Sequence, residues 1–366
     1  MLNLAQGFVE RGFAVDVVTA QASGPYLNQV PRGARLVDLA SSRVLTALPG
    51  LVRYLRTARP KTLIAAMGHT NIVALCARFL ARRSTRIVVT AHLNTSVCEQ
   101  HKQPLRARLV RPLEKLFYLW ADEIVAVSEG VADDMVRSGV VPSRDRIRVI
   151  YNPVISPDLH EKAKAAVDHP WFAAGEPPVF LNVGRLTAQK DQATLLKGFA
   201  SLRKRHRARL LILGEGELRS ELEGLIAELG IGEDVSLPGF CENPYAFMSR
   251  TTGFVLSSGW EGLPTVLIEA ASLGVPVIST DCPSGPREIL KEGALGTLVP
   301  VGDSEALATA MEKLLEQQEV SSFDRAHLDE TFRPFHHETA VDAYLQACLE
   351  PRTPIKVFGP ARRAPV

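Results

Sequence analysis

Two carboxylates, Glu261 and Glu269, bracket the stretch Ser258-Gly-Trp-Glu-Gly-Leu-Pro-Thr-Val-Leu-Ile-Glu269. The apolar run from Gly253 to Ser257 just before it is short enough to be a buried parallel strand. Pro264 suits the first turn of a helix, where its missing N–H would have no partner anyway. That helix is expected to run to Leu273 and to stop at Gly274. In a strand-turn-helix unit of this kind the free N–H groups of Thr265 and Val266 can hold phosphate. The two carboxylates can hold hydroxyls by accepting hydrogen bonds from them. A capped amphipathic helix with two solvated acids accounts for the same residues without any ligand.

A second cluster follows the first strand of the same half, in Gly184-Arg-Leu-Thr-Ala-Gln-Lys190. A Gly184-Arg185 turn that enters a helix at Lys190 places two cations at the carboxyl edge of a sheet, where together they can neutralise a diphosphate. An ordinary surface Arg and Lys is the competing reading. The turn Leu213-Gly-Glu-Gly-Glu217 gives no complete G-x-G-x-x-G, so Gly214 is a structural turn or at most a backbone contact. Gly285, in Ser284-Gly-Pro-Arg-Glu288, opens another strand-to-helix turn facing the same crevice. In the other half, Thr90-Ala-His92 ends a buried strand at the carboxyl edge, where a lone His serves structure or faces a ligand. No Asp-x-Asp occurs, and no pair of His or Cys has metal-ligand spacing. A leaving diphosphate would therefore rely on Arg185, Lys190 and the helix N-terminus at Pro264, with no metal required.

The Glu261 to Glu269 segment resembles the E-x7-E motif of the retaining glycosyltransferases of family 4. Gly184, Arg185 and Lys190 are similar to that family's Gly-Arg and Lys donor motif, in the right half and in the right order. The resemblance implies the GT-B fold of two facing Rossmann-like domains. It implies that Arg185 and Lys190 hold the diphosphate, Glu269 the ribose and Glu261 the transferred sugar. His92 would face the sugar across the cleft, while Gly214 and Gly285 match turns beside the donor. Family retention is attributed to front-face departure and attack steered by the leaving phosphate. Ser128 and Asn152-Pro153 also match, but capping and turn roles suffice for them.

The elements needed to position these groups are legible as alternating strands and helices, the pattern of doubly wound parallel sheets. At 366 residues the chain is too long for one ordinary core. The first series covers 1–155, and a turn-rich stretch, 156–178, is expected to be a linker. The second series covers 179–330, with each strand except the last expected to precede a helix. Residues 331–350 are expected to form a helix packing back on the first domain, and 351–366, with four prolines and four basic residues, a disordered tail. A 46% apolar, 22% charged composition is that of a globular protein. No uncharged apolar stretch approaches membrane-spanning length, and residues 1–11 lack the pattern of a signal peptide. The five cysteines are expected to be reduced, and the expected location is cytoplasmic, including peripherally at the inner face of the cytoplasmic membrane.

Charge is unevenly shared. Up to Ser156 there are 21 Lys and Arg against 11 Asp and Glu, and beyond it 21 against 29. The basic and apolar run over 102–120 reads either as a solvated surface helix or as an interfacial helix drawn to anionic lipid. Signatures for nucleic-acid binding are absent from the sequence. The chain also opens directly on a helix, where a doubly wound domain begins with its central strand and a glycine-rich turn. The expectation is that this first strand of the N-terminal domain is missing before Met1. The function implied is transfer of a hexosyl or N-acetylhexosaminyl group from a nucleotide diphosphate sugar, UDP-linked by expectation, to a hydroxyl of a surface-glycan or lipid-linked acceptor. A weakly active or inactive binding subunit is the rival, given the missing loop. A nicotinamide-dependent oxidoreductase would share the architecture but should show G-x-G-x-x-G after a domain's first strand, and neither half does.

Overall fold

The computed structural model describes residues 1–23, 25–94, 96, 112–316 and 325–350. In the first half the strands are β1 (Asp16–Thr19), β2 (Arg35–Asp38), β3 (Thr62–Ala66), β4 (Arg86–Ala91), β5 (Glu123–Ala126) and β6 (Ile147–Val149). In the second half they are β7 (Val179–Val183), β8 (Arg209–Leu213), β9 (Val235–Gly239), β10 (Gly253–Leu256), β11 (Val277–Thr280) and β12 (Thr297–Val299). Every ladder among them is parallel. Strands of three to six residues, rich in Val, Ile and Leu, are what a sheet covered on both faces requires.

The second half forms one six-stranded sheet in the order β12-β11-β10-β7-β8-β9. The order reverses between β10 and β7, so the turns leaving these two strands diverge and open a crevice at their carboxyl ends. The first half is divided into two ladders, β1-β2 and β3-β4-β5-β6. Central β4 and β5 are buried over nearly their whole length, whereas β1 is half-buried throughout and β3 is buried only at Ala65. Burial thus falls where a ladder has one partner and rises where it has two.

Several element boundaries differ from expectation. Residues 156–178 carry the helix Leu159–Ala163, which docks on the helix Pro244–Met248 through Asn243 Nδ2 to Lys162 O at 2.9 Å and Ser249 Oγ to Ala163 O at 2.8 Å. Its burial against the second domain outweighs the turn composition of its flanks. The last strand, β12, does precede a full helix, Ser304–Glu316, while β11 is followed by only one turn, Pro286–Ile289. The helix Ser304–Glu316 lies against Gln192–Arg203, and at Gly198 a side chain would meet Ser304 O at 2.6 Å. Of the helix expected up to Trp120, residues 112–118 are helical, and 102–111 fall outside the described residues, as does 351–366.

The chain ends by crossing back. The helix His337–Leu349 packs Val341, Tyr344 and Ala347 against Leu4, Val88, Val125 and Ile150 of the first domain. Arg86 Nε donates to Ala347 O at 2.9 Å and Thr62 Oγ1 to Cys348 O at 3.0 Å. Beneath this helix the buried Glu123 carboxylate is held by Arg86 at 3.2 Å and Arg148 at 3.3 Å, so neither its charge nor its desolvation is left uncompensated.

On β3 every second amide points away from β4, its ladder partner. Hydrogen exchange should release those amides roughly tenfold or more faster than the amides of β4 and β5, which are bonded on both sides. Uniform protection across the three strands would contradict the two-ladder arrangement.

Candidate active site

The turns leaving β7 and β10 are joined to each other by hydrogen bonds. Gly259 N donates to Gln189 O at 2.9 Å, Ser257 Oγ to Lys190 O at 2.8 Å and Gln189 Nε2 to Trp260 O at 3.0 Å. Within this frame Lys190 Nζ lies 2.5 Å from Glu261 Oε1. Ser258 Oγ donates to the same oxygen at 2.7 Å, and Gln189 Nε2 reaches Oε2 at 3.3 Å. Glu261 is 5% exposed, so a lone carboxylate here would be costly, and these three donors balance its desolvation. Thr280 Oγ1, at the end of β11, donates to Ser258 O at 2.6 Å and fixes the loop from below.

Lys190 does not begin the helix. Asp191, in left-handed backbone at φ 44°, caps Gln192–Arg203 by accepting from Thr194 N at 3.3 Å. The lysine is thereby left in the turn, and its methylenes lie over Gly184, where an added Cβ would stand 3.5 Å from them. Pro264 is likewise the N-cap residue of Thr265–Ser272, not its first turn, because its ψ of 95° is extended. The N–H groups of Thr265 and Val266 then head the helix with no carbonyl a turn behind them, and point out of its N-terminus.

Arg185 is not drawn into this cluster. Its side chain is 79% exposed and meets only Glu217, at 3.8 Å, among the ion pairs of the described residues. Gly214 has a packing reason for its identity: at φ 147°, a side chain would meet Gly184 O at 2.0 Å, so the second turn lies flat on the first. Gly285, at φ 96°, abuts the Pro264 ring and thus borders the start of the donor-side helix.

Glu269 lies one helical face further on. Tyr245 OH donates to its Oε1 at 3.2 Å, and burial pushes its carboxyl up to about 7. His92 reaches the site from the first domain. Its backbone carbonyl is so close to Gly262 that an added Cβ there would stand 2.0 Å from it. Thr90 Oγ1 gives its one proton to Ala65 O at 2.9 Å, so at 3.0 Å it accepts from His92 Nε2. That fixes the Nε2–H tautomer and leaves Nδ1 as an acceptor. Burial holds the imidazole down to about 4, so His92 is neutral at physiological pH.

Gln189, Ser258 and Tyr245 were not singled out by sequence. The first two lie inside the motifs, and their neighbours were the only signal. Tyr245 lies 24 positions before Glu269 with nothing to connect them. The one group of three possible metal ligands among the described residues is His206, Glu312 and Glu316. It lies at the amino end of β8, opposite the crevice, and Arg205 already pairs with Glu312 at 2.9 Å.

Two facing α/β domains of parallel sheet, with cations and carboxylates at the switch point of the second, define a GT-B architecture. The structure aligns over 94% of its length with 93% of Anabaena HepE crystallised in complex with UDP, at a TM-score of 0.76 and 19% identity. Residues 1–155 match the family described as Glycosyltransferase Family 4, and residues 166–327 match Glycosyl transferases group 1. Over 254 residues the chain is 32% identical to N-acetylgalactosamine-N,N'-diacetylbacillosaminyl-diphospho-undecaprenol 4-alpha-N-acetylgalactosaminyltransferase of Campylobacter jejuni, covering 69% of this chain and 67% of that one. It is 31% identical to an uncharacterized glycosyltransferase of Methanocaldococcus jannaschii, covering 68% of this chain and 62%, under two thirds, of the relative. The chain belongs to the family 4 glycosyltransferases of GT-B fold.

The raised Glu269 carboxyl has a measurable consequence. Because burial favours the protonated form in the folded state, its contribution to stability is complete below the ordinary carboxylate range and is lost as pH rises to about 7. Glu269→Gln should remove that slope, gaining on the order of 3 kcal/mol relative to wild type between pH 4.5 and 8. Thermal melts across this range test it, and parallel pH profiles would refute the burial of this carboxyl.

Proposed function

We propose that this chain is a retaining, metal-independent transferase that moves a hexosyl or N-acetylhexosaminyl group from a UDP-sugar to a hydroxyl of a surface-glycan or lipid-linked acceptor. The observation that carries the reading is the Lys190–Glu261 pair at the β7/β10 switch point, with Glu269 on the helix that follows the Glu261 loop and the His92 backbone against Gly262 of that loop. HepE, crystallised with UDP, and a relative named for a diphospho-undecaprenol acceptor support the donor and acceptor classes.

In this reading the donor diphosphate competes with Glu261 for Lys190. Arg185, held at the rim by its exposed 3.8 Å pair with Glu217, swings in as a second cation, and the N–H groups of Thr265 and Val266 add fixed donors. Transferring Lys190 to phosphate releases Glu261 Oε1, which then accepts from a sugar hydroxyl while Ser258 and Gln189 hold the carboxylate in place. Glu269 accepts from the ribose. His92, neutral and with Nδ1 as an acceptor, accepts a hydrogen bond from a sugar-side hydroxyl without taking up its proton, so no further positive charge forms near the cations.

Loss of an ion-paired hydrogen bond costs roughly 1.5–3 kcal/mol. Lys190→Ala or Glu269→Gln should therefore weaken UDP binding about ten- to a hundredfold, measured by calorimetry with EDTA present. Unchanged affinity in both variants would sink the donor assignment. Binding without turnover across a panel of UDP-sugars and lipid-linked acceptors would favour a binding subunit.

A peripheral membrane location fits an apolar surface on the first domain. Phe79 (69% exposed) stacks on the exposed Trp120 at 5.8 Å, and the exposed Leu80, Arg82, Arg83, Lys115 and Leu116 lie close by in the chain. Basic residues beside buried-chain-length apolar groups suit an anionic lipid surface. No helix among the described residues is long and apolar enough to cross a membrane. Flotation should show a preference for anionic over neutral liposomes that fades with salt, since the attraction is screened over about 10 Å at 0.1 M. Equal binding to both would reject the lipid surface.

A further inference from the structure

Glu288 closes the Ser284–Glu288 turn but has no part in the donor site; it lies on the one-turn helix Pro286–Ile289 of the second domain. Its half-buried carboxylate reaches across to the other domain. Oε1 and Oε2 accept from the backbone N–H of Glu129 at 3.1 and 3.2 Å, and Tyr151 OH donates to Oε1 at 2.5 Å. Both partners belong to the first domain. Glu129 opens the helix Glu129–Arg137, whose first N–H groups have no intrahelical acceptor and carry the positive end of its dipole. A carboxylate from one domain therefore caps a helix of the other.

The same helix start is tied to the donor loop at a second point. Ser128 Oγ accepts from Val131 N at 3.2 Å, capping its own helix, and donates its proton to Gly262 O at 2.8 Å. On the other side of the turn, Asn94 Nδ2 donates to Pro283 O at 3.3 Å and Ser284 Oγ to Asn94 Oδ1 at 2.8 Å. The surfaces are fitted closely here: a side chain at Gly130 would stand 2.4 Å from Ser284 Oγ, as one at Gly262 would clash with His92 O. Among the described residues, Glu288 brings a charge to a seam whose contacts at Asn94, Ser128, Gly130, Gly262 and Ser284 are made by hydroxyls, amides and glycines.

We propose that Glu288 is an interdomain positioning residue, which with Tyr151 holds the N-terminus of Glu129–Arg137 against the donor loop and so sets His92 opposite Glu261. This rests on the transferase reading for its kinetic part only. The donor groups Lys190, Glu261 and Glu269 all lie in the second domain, so a loosened seam leaves them intact. What it changes is the fraction of molecules in which the two halves of the site face each other.

The experiment compares wild type with Glu288→Ala, Glu288→Gln and Tyr151→Phe. Tyr151→Phe keeps the ring that packs on Phe335 at 4.6 Å and removes only the hydroxyl, which guards against a variant that fails to fold. Small-angle scattering should show a larger radius of gyration for Glu288→Ala than for wild type, with Glu288→Gln and Tyr151→Phe in between. Turnover should fall about tenfold or more in Glu288→Ala, with KM for the donor and the affinity for UDP within about twofold of wild type. Scattering that is the same in all four proteins overturns the proposal, whether or not the chain transfers sugar. A larger radius with unchanged kcat overturns the positioning role. A fall in UDP affinity that matches the fall in kcat also overturns it, because Glu288 would then be acting through the donor site.

Discussion

The buried ion pair between Lys190 and Glu261 is the interaction on which the order of this site depends. A carboxylate that is 5% exposed must be neutralised and hydrogen-bonded, or the loop carrying it would move into water. Lys190, Ser258 and Gln189 all converge on it, and the hydrogen bonds between the two turns follow from that convergence. The pair also leaves the charged groups of the crevice satisfied by one another. In the proposed reading a donor phosphate needs only to be a better partner for Lys190 than Glu261 is, and exchange of one anion for another preserves the charge balance.

A second constraint acts through the backbone. Where strand order reverses between β7 and β10, the exits of two neighbouring strands separate, and residues far apart in sequence come to share one edge. Gly214, Gly216 and Gly262 then let polypeptide approach polypeptide where any side chain would collide. Two of these close contacts, Gly214 on Gly184 and Gly216 on Leu186, stack turns within the second domain, while Gly262 against His92 joins the domains. The glycines are thus explained by contact with protein, whatever they do for a ligand.

The crossing of the C-terminal helix onto the first domain links stability to function. Val341, Tyr344 and Ala347 complete a core begun by Leu4, Val88 and Val125, so the chain's last helix belongs structurally to its first strands. The parallel bridge between Ile155 and His336 marks where the two crossings run side by side. The polar seam around Glu288 meets this same edge, since Tyr151, which donates to Glu288, packs on Phe335 beside the bridge.

Most strands, their parallel arrangement and the crevice-facing motifs were legible in the sequence, because apolar runs of four to six residues and strand-to-helix turns are local signals. Glu261, Glu269 and Lys190 could be singled out since residue type and spacing alone suggest acid and cation at strand ends. What was not legible depends on contacts between distant segments. The exposed course of Arg185, the capping of the second helix by Asp191 in place of Lys190, and the helix within 156–178 were set by burial and backbone geometry. Tyr245 meets Glu269 and Glu288 meets Glu129 across 24 and 159 positions, distances at which no periodicity or propensity carries information. Residue chemistry determined what groups this chain brings to its crevice; only tertiary packing decided which of them touch, because a contact's free energy belongs to two surfaces and the sequence of either one does not contain it.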